Sequence, residues 1–201
     1  MKNDFRKRIY NNLSDFLSDL LSFIINSSIY VRNIKNKGIS RKLREKLMVA
    51  VSGVLGCKYC TWLHSEMALS HGVDAGDIQR LLSSELGDFP EEEAVALAFA
   101  QHYSETGGKI QKQVRQRLHK YYGRETARDI SGYIQIIYFG NLAGNTVDAL
   151  LERLKGHPVE GSNSWDEVVI FLLSSPYFFG ILPLIAHTAG YINRRGKKLA
   201  E

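Results

Sequence analysis

Three observations predict an all-α protein. Apolar residues recur every three or four positions along nearly the whole chain. No stretch alternates apolar and polar residues as a half-buried strand would. Prolines number only four in 201 residues, so few places forbid a helix. The length suits one sizeable core, and the absence of any biased or repetitive tract argues against disorder or a fibrous chain.

The first helix is read from Leu13, Phe16, Leu20, Phe23 and Ile24, which share one face. "KNKGIS" interrupts the pattern, and Ser40 is placed to cap a second helix carrying Leu43, Leu47, Ala50, Val51 and Val54. Gly53 and Gly56 are expected to weaken and end it. A third helix begins near Cys57 and closes at His71 and Gly72, and a short fourth is capped by Asp74. "FPEEEAVALAFAQHYSET" opens another helix with proline and acids in its first turn, where the positive end of the macrodipole favours negative charge. "IQKQVRQRLHKYY" follows, and then "TARDISGYIQIIYFGNLAGNTVDALLERL", long enough to be the central buried helix. "HGVDAGDIQRLL" and "YYGRETARDISGYI" share an Asp-Ile helix entry, without the fixed spacing of a duplication.

Residues 168–187 contain no Lys, Arg, Asp or Glu and are followed by "NRRGKK". Length and basic flank suit a membrane span. Ser174, Ser175, Pro176, Gly180 and Pro183 divide the segment into short pieces, however, and so favour buried core or subunit contact. The expected organisation is an N-terminal helical extension over 1–37, a central helical domain over 38–155, and an apolar C-terminal helical extension over 156–201. The apolar stretch near the N-terminus is broken by Asp19 and lacks a small-residue cleavage site, so the cytoplasm is the expected location.

The formal charge is +5, with basic residues gathered in "KNDFRKR", "RNIKNKGISRKLREK" and "NRRGKK". No basic stripe is interleaved with aromatic side chains, which disfavours nucleic acid as a partner. The two cysteines lie three positions apart in "CKYCTWLH". A secreted, disulfide-stapled fold would spread its bridges over distant segments.

Cys60 and His64 are four apart and share a helical face, with Cys57 one turn earlier. If the chain turns back at Gly53 to Gly56, Glu45 and His64 are equidistant from the bend, and the carboxylate is expected to meet the imidazole across a helical hairpin. A thiolate is the reactive form of cysteine. The helix N-terminus favours it at Cys57, and a proton-accepting His64 favours it at Cys60, with Glu45 orienting the imidazole. Zinc would need a fourth ligand from Glu45 or His71 and lacks a second ligand pair. Haem attachment requires His directly after the second cysteine, where this chain has Thr61. Two small buried residues on a core helix are the plain structural alternative. His102, His119 and His157 read as exposed helix residues, and His187 as a buried histidine. Trp62, Tyr138 and Phe139 are discounted as lining for an apolar access pocket, because aromatic residues at helical spacing are core far more often than substrate contacts. Asn141 and Asn145 lie one turn apart in the long buried helix.

The spacing Glu45, eleven residues, Cys57, two residues, Cys60, three residues, His64 resembles the signature of the alkylhydroperoxidase D (AhpD-like) proteins of the carboxymuconolactone decarboxylase-like superfamily. "CKYC", "GVDAGDIQRLL", "EEEAVALAFA" and "IIYFGNLAGNTVDALL" are similar in character to that family's sequence, and the resemblance covers about residues 38–152. It implies a self-associating, all-helical thiol-disulfide oxidoreductase with peroxidase activity toward small hydroperoxides. Carried over by motif, Cys60 is attacked by peroxide and becomes a sulfenic acid, Cys57 resolves it to a disulfide, and His64 with Glu45 relays the proton. No tightly bound cofactor or metal is implied. The reductant is an external dithiol, either a lipoyl group or a partner protein. Some members carry histidine between the cysteines where this chain has Tyr59, a weaker proton carrier near neutral pH. The superfamily's decarboxylases lack the dithiol, which disfavours lactone decarboxylation. A non-catalytic dithiol sensor or helical interaction module is the alternative from another class.

Overall fold

The structure, a computed structural model, describes residues 7–34, 39–176 and 179–180. All regular structure among them is helical, as α1 (Leu13–Ile34), α2 (Arg41–Leu55), α3 (Lys58–Ser70), α4 (Ala75–Leu82), α5 (Glu91–Glu105), α6 (Lys112–Leu154) and α7 (Ser164–Pro176). His187, most of the apolar run beyond Pro176 and the basic "NRRGKK" lie outside the described residues.

α6 is the axis of the molecule, and α1, α2, α5 and α7 all pack on it. Its buried positions from Ala127 to Leu150 supply much of the core. The helix is broken at Gly123, whose φ of 75° and ψ of 170° suit glycine and few other residues, so "IQKQVRQRLHKYY" and the long segment after it are two helical stretches meeting at a bend. α1 lies along α6 with Phe16 and Phe23 flanking Phe139, at ring-centroid distances of 5.7 and 5.1 Å. The two backbones can approach because position 132 is glycine, where a Cβ would stand 2.6 Å from Ile29 Cδ1. Tyr10 meets Phe16 edge-on at 5.4 Å, and its hydroxyl donates to Asp19 at 2.9 Å.

Local chemistry sets the helix ends. Ser40 caps α2, its side chain accepting from Leu43 N at 3.2 Å, and Asp74 caps α4 by accepting from Gly76 N at 2.7 Å. Pro90 sits at the N-cap of α5, followed by Glu91, Glu92 and Glu93. α2 runs through Gly53 without interruption and stops at Gly56, which adopts the left-handed conformation (φ 71°) and donates its N–H to Ser52 O at 3.0 Å. The buried Lys46 ammonium ties α2 to α4 and α5, with Asp77 at 2.9 Å, Glu93 at 2.5 Å and the Phe89 ring centroid at 5.0 Å. α7 is held by Arg153 of α6, which donates from Nε and Nη2 to the buried Glu167 carboxylate at 2.6 and 3.1 Å.

The apolar C-terminal segment is not simply core. Ile170 and Ser174 are buried against α6, but Trp165, Val168, Leu172, Leu173 and Phe179 face outward. No described helix is long and apolar enough to cross a membrane.

Candidate functional site

The site is built at the bend between α2 and α3. Because α2 continues to Leu55 and α3 begins at Lys58, the connection consists of Gly56 and Cys57 alone. Gly56 reverses the chain. Cys57 takes the N-cap of α3 in extended conformation, and its Sγ accepts from Cys60 N at 3.3 Å. That N–H belongs to the positive end of α3, so a thiolate at Cys57 would receive both a hydrogen bond and the dipole.

Cys57 and Cys60 form a disulfide with a Cα–Cα separation of 5.2 Å. Its two ends differ in access, for Cys57 is only 2 % exposed whereas Cys60 is half-buried. The aromatic side chains beside the sulfurs point to solvent, Tyr59 at 70 % and Trp62 at 66 % exposure. Trp62 borders a shallow open groove of about 480 Å³ with Gly53, Gly56, Lys58, Thr61 and Leu82. Phe139 instead packs in the core between Phe16 and Phe23, and Tyr138 is buried against Tyr103 at 5.3 Å.

His64 lies one turn beyond Cys60 on α3. Its Nδ1 is shut away from solvent without a hydrogen-bond partner, and burial lowers the imidazole to about 4, so the ring is neutral at pH 7. The expected contact with Glu45 is not made. Glu45 Oε1 is 2.8 Å from His71 Nδ1, and Oε2 has no partner. The cause is the position of the bend: with the turn at Gly56–Cys57 rather than Gly53 to Gly56, the register across the hairpin moves toward later residues of α3, and Glu45 meets His71 at the C-cap of α3 instead of His64. Burial lifts Glu45 to about 7 against the opposing pull of Arg44 and Arg41, while burial and the same two arginines lower His71. Near pH 7 the Glu45 carboxyl is therefore about half-protonated beside a neutral His71, and in its protonated form it donates to Nδ1.

Sequence reasoning placed His71 at helix closure and weighed it as a fourth zinc ligand, but did not pair it with Glu45. The signal that could have found its second role was the register of a bend only two residues wide. Asn145 also takes a larger part than foreseen. Its Nδ2 donates to Leu55 O and to Arg8 O, both at 2.9 Å, while Arg8 N donates to the same Leu55 carbonyl at 3.2 Å. The last carbonyl of α2, on the buried Leu55, is thus tied to α6 and to the N-terminal segment, which fixes the bend beneath the disulfide. Asn141 makes no such contact and donates to Ile137 O of its own helix at 2.9 Å. His119 and His157 are exposed as expected, but His102 is half-buried with Nε2 enclosed. Among the described residues no three His, Cys, Asp or Glu side chains converge as metal ligands.

Residues 29–102 match the Carboxymuconolactone decarboxylase family. The matched segment contains Glu45, Cys57, Cys60, His64 and His71 and is consistent with an AhpD-like member of that superfamily. Compared with curated proteins and with solved structures, the chain has no match.

Proposed function

We propose that the chain is a thiol-disulfide oxidoreductase that reduces small hydroperoxides with the Cys57–Cys60 dithiol. The observation that carries this reading is the asymmetric disulfide at the N-terminus of α3, with one sulfur-bearing residue sealed, the other reachable, and a neutral imidazole one turn away. The family match and the disulfide are both compatible with redox chemistry.

In the dithiol form, neutral His64 accepts the Cys60 proton, and the thiolate attacks the terminal peroxide oxygen. An S–O bond forms, the O–O bond breaks, and the alcohol leaves with a proton. Cys57, held as thiolate by the Cys60 N–H, then attacks the sulfenic sulfur. The disulfide closes and water departs, so two electrons have passed from the dithiol to the peroxide. An external dithiol, a lipoyl group or a partner protein, returns the disulfide to two thiols. Glu45 with His71 forms a proton store behind the site, since a carboxyl near 7 is about half-protonated at neutral pH. Exposed Tyr59 and Trp62 offer the reductant an apolar approach to the sulfurs. Self-association and a cytoplasmic location belong to this reading.

Cys60→Ser is expected to abolish hydroperoxide consumption. Cys57→Ser is expected to leave a sulfenic acid at Cys60 that a dimedone probe captures. Both variants consuming hydroperoxide at the parent rate would remove the proposal.

A further inference from the structure

A disulfide can be opened at either sulfur, and the packing of this chain favours one of them. The attacked sulfur must be reachable by the incoming thiolate, and the other leaves faster the better its own thiolate is stabilised. Both conditions select Cys60 as the sulfur attacked. Cys57 is only 2 % exposed, whereas Cys60 is half-buried. Cys57 also occupies the N-cap of α3, where its Sγ accepts from Cys60 N at 3.3 Å. That hydrogen bond and the positive end of the helix are already in place for a departing Cys57 thiolate.

The bend that carries Cys57 is tied down from outside the hairpin. Only Gly56 separates Cys57 from Leu55, the last residue of α2. The Leu55 carbonyl accepts from Asn145 Nδ2 at 2.9 Å and from Arg8 N at 3.2 Å, and the same Asn145 amide donates to Arg8 O at 2.9 Å. Arg8 is itself anchored. Its Nη1 donates to Ser104 O and Glu105 O, both at 2.7 Å, at the C-terminal end of α5, where the helix dipole favours a cation. To either side of it, Lys7 is ion-paired with Asp148, and Tyr10 N donates to Thr146 Oγ1 at 3.0 Å. Residues 7–10 thus form a strap pinned to α5 and α6, which meets the end of α2 two residues before the sealed cysteine. Arg8 and Asn145 both lie outside residues 29–102, so the family match assigns them nothing.

We infer that Arg8 and Asn145 are positioning residues that confine thiol-disulfide exchange to Cys60, so that the external dithiol forms its mixed disulfide there. The inference rests on the redox reading of the Cys57–Cys60 pair and gives its reductive half a direction. The donor's first thiolate attacks Cys60 Sγ, the Cys57–Cys60 bond breaks, and Cys57 leaves as the thiolate. The donor's second thiolate then attacks the donor sulfur of the mixed disulfide and expels Cys60 as a thiolate. The donor ends as a disulfide, its two electrons reside on the protein sulfurs, and the two protons its thiols release balance those the protein thiolates take up. Glutathione, a monothiol, traps the first step. The oxidised full chain is mixed with glutathione in the absence of peroxide and quenched with N-ethylmaleimide at acidic pH, and tandem mass spectrometry locates the glutathione. The parent is expected to carry it on Cys60 about tenfold or more over Cys57. Arg8→Ala and Asn145→Ala are each expected to bring that preference toward unity, whereas Arg8→Lys, which keeps a cationic donor for the α5 carbonyls, stays close to the parent. Arg153→Met, which loosens the fold away from the bend, is expected to keep the parent ratio and so separates positioning from general destabilisation. Circular dichroism matching the parent establishes that each variant is folded. Glutathione mainly or equally on Cys57 in the parent, an unchanged ratio in both alanine variants, or the same loss of preference in Arg153→Met would overturn the inference. Glutathione on neither cysteine would overturn it together with the redox reading, whereas the expected labelling in a chain that leaves hydroperoxides intact would uphold it and remove only the peroxidase reading.

Discussion

Replacing Glu45 by glutamine isolates the most strongly perturbed carboxyl of the site. Burial moves it from an ordinary 4.5 to about 7, a difference worth about 3 kcal/mol between folded and unfolded chains. Between these two values the native protein keeps a proton that the unfolded chain has lost. Glu45 therefore makes the fold less stable as pH rises through this window, and the full penalty is present above about 7. His64 acts in the opposite sense. Its imidazole falls from 6.5 to about 4, so the unfolded chain holds the extra proton and this contribution to stability grows as pH rises from about 4 to 6.5. The two trends oppose one another in the parent, but His64 is common to parent and variant and cancels in their difference. Glutamine keeps a partner for His71 Nδ1 and removes the titration. Urea denaturation of the disulfide form, followed by circular dichroism at steps from about pH 4.5 to 8, should show the stability of Glu45→Gln relative to the parent rising by about 3 kcal/mol across the series. A flat difference, or one that falls with pH, would show that Glu45 is not held neutral by burial and that the proton store is not there.

His64→Gln removes the neutral base beside Cys60 and should slow alkylation of the Cys60 thiol at neutral pH by about tenfold or more while leaving the melting temperature close to that of the parent; iodoacetamide kinetics on the Cys57→Ser background measure it. Asn145→Leu withdraws the amide from Leu55 O and Arg8 O inside the fold and should cost about 2 to 4 kcal/mol in chemical denaturation, with faster proteolysis of the N-terminal segment. Arg153→Met strands the Glu167 carboxylate, which is only 1 % exposed, and should cost about 3 to 5 kcal/mol, whereas changing Arg153 and Glu167 together to Met and Leu should recover much of that loss.

The sequence made the helices legible where end signals and apolar periodicity agreed. Ser40, Asp74 and the acids after Pro90 mark helix starts by supplying acceptors or negative charge to unpaired N–H groups, a local effect that needs no knowledge of the partner helix. The buried α6 was readable from its length and apolar content. Pairing across the bend was not. Gly53 and Gly56 are the same residue type, yet α2 continues through the first and ends at the second, because only Gly56 takes the left-handed conformation that closes the helix. That shift in the bend places His71 rather than His64 against Glu45, since residues facing one another across a hairpin depend on where it turns. Asn145 was marked as a polar residue inside an apolar helix, but its attachment to Leu55 and Arg8 depends on a tertiary approach that local pattern does not encode. The outward apolar side of α7 was hidden for a similar reason: a run without charges does not say which residues meet the core.

The central claim is that Cys57 and Cys60 are a working redox pair. Its most direct measurement is the thiol titre of the reduced chain before and after one equivalent of an organic hydroperoxide. Loss of two thiols per chain, with one alcohol formed per disulfide and both thiols restored by dihydrolipoamide, is the result expected. An unchanged titre, with the hydroperoxide intact, would contradict the account.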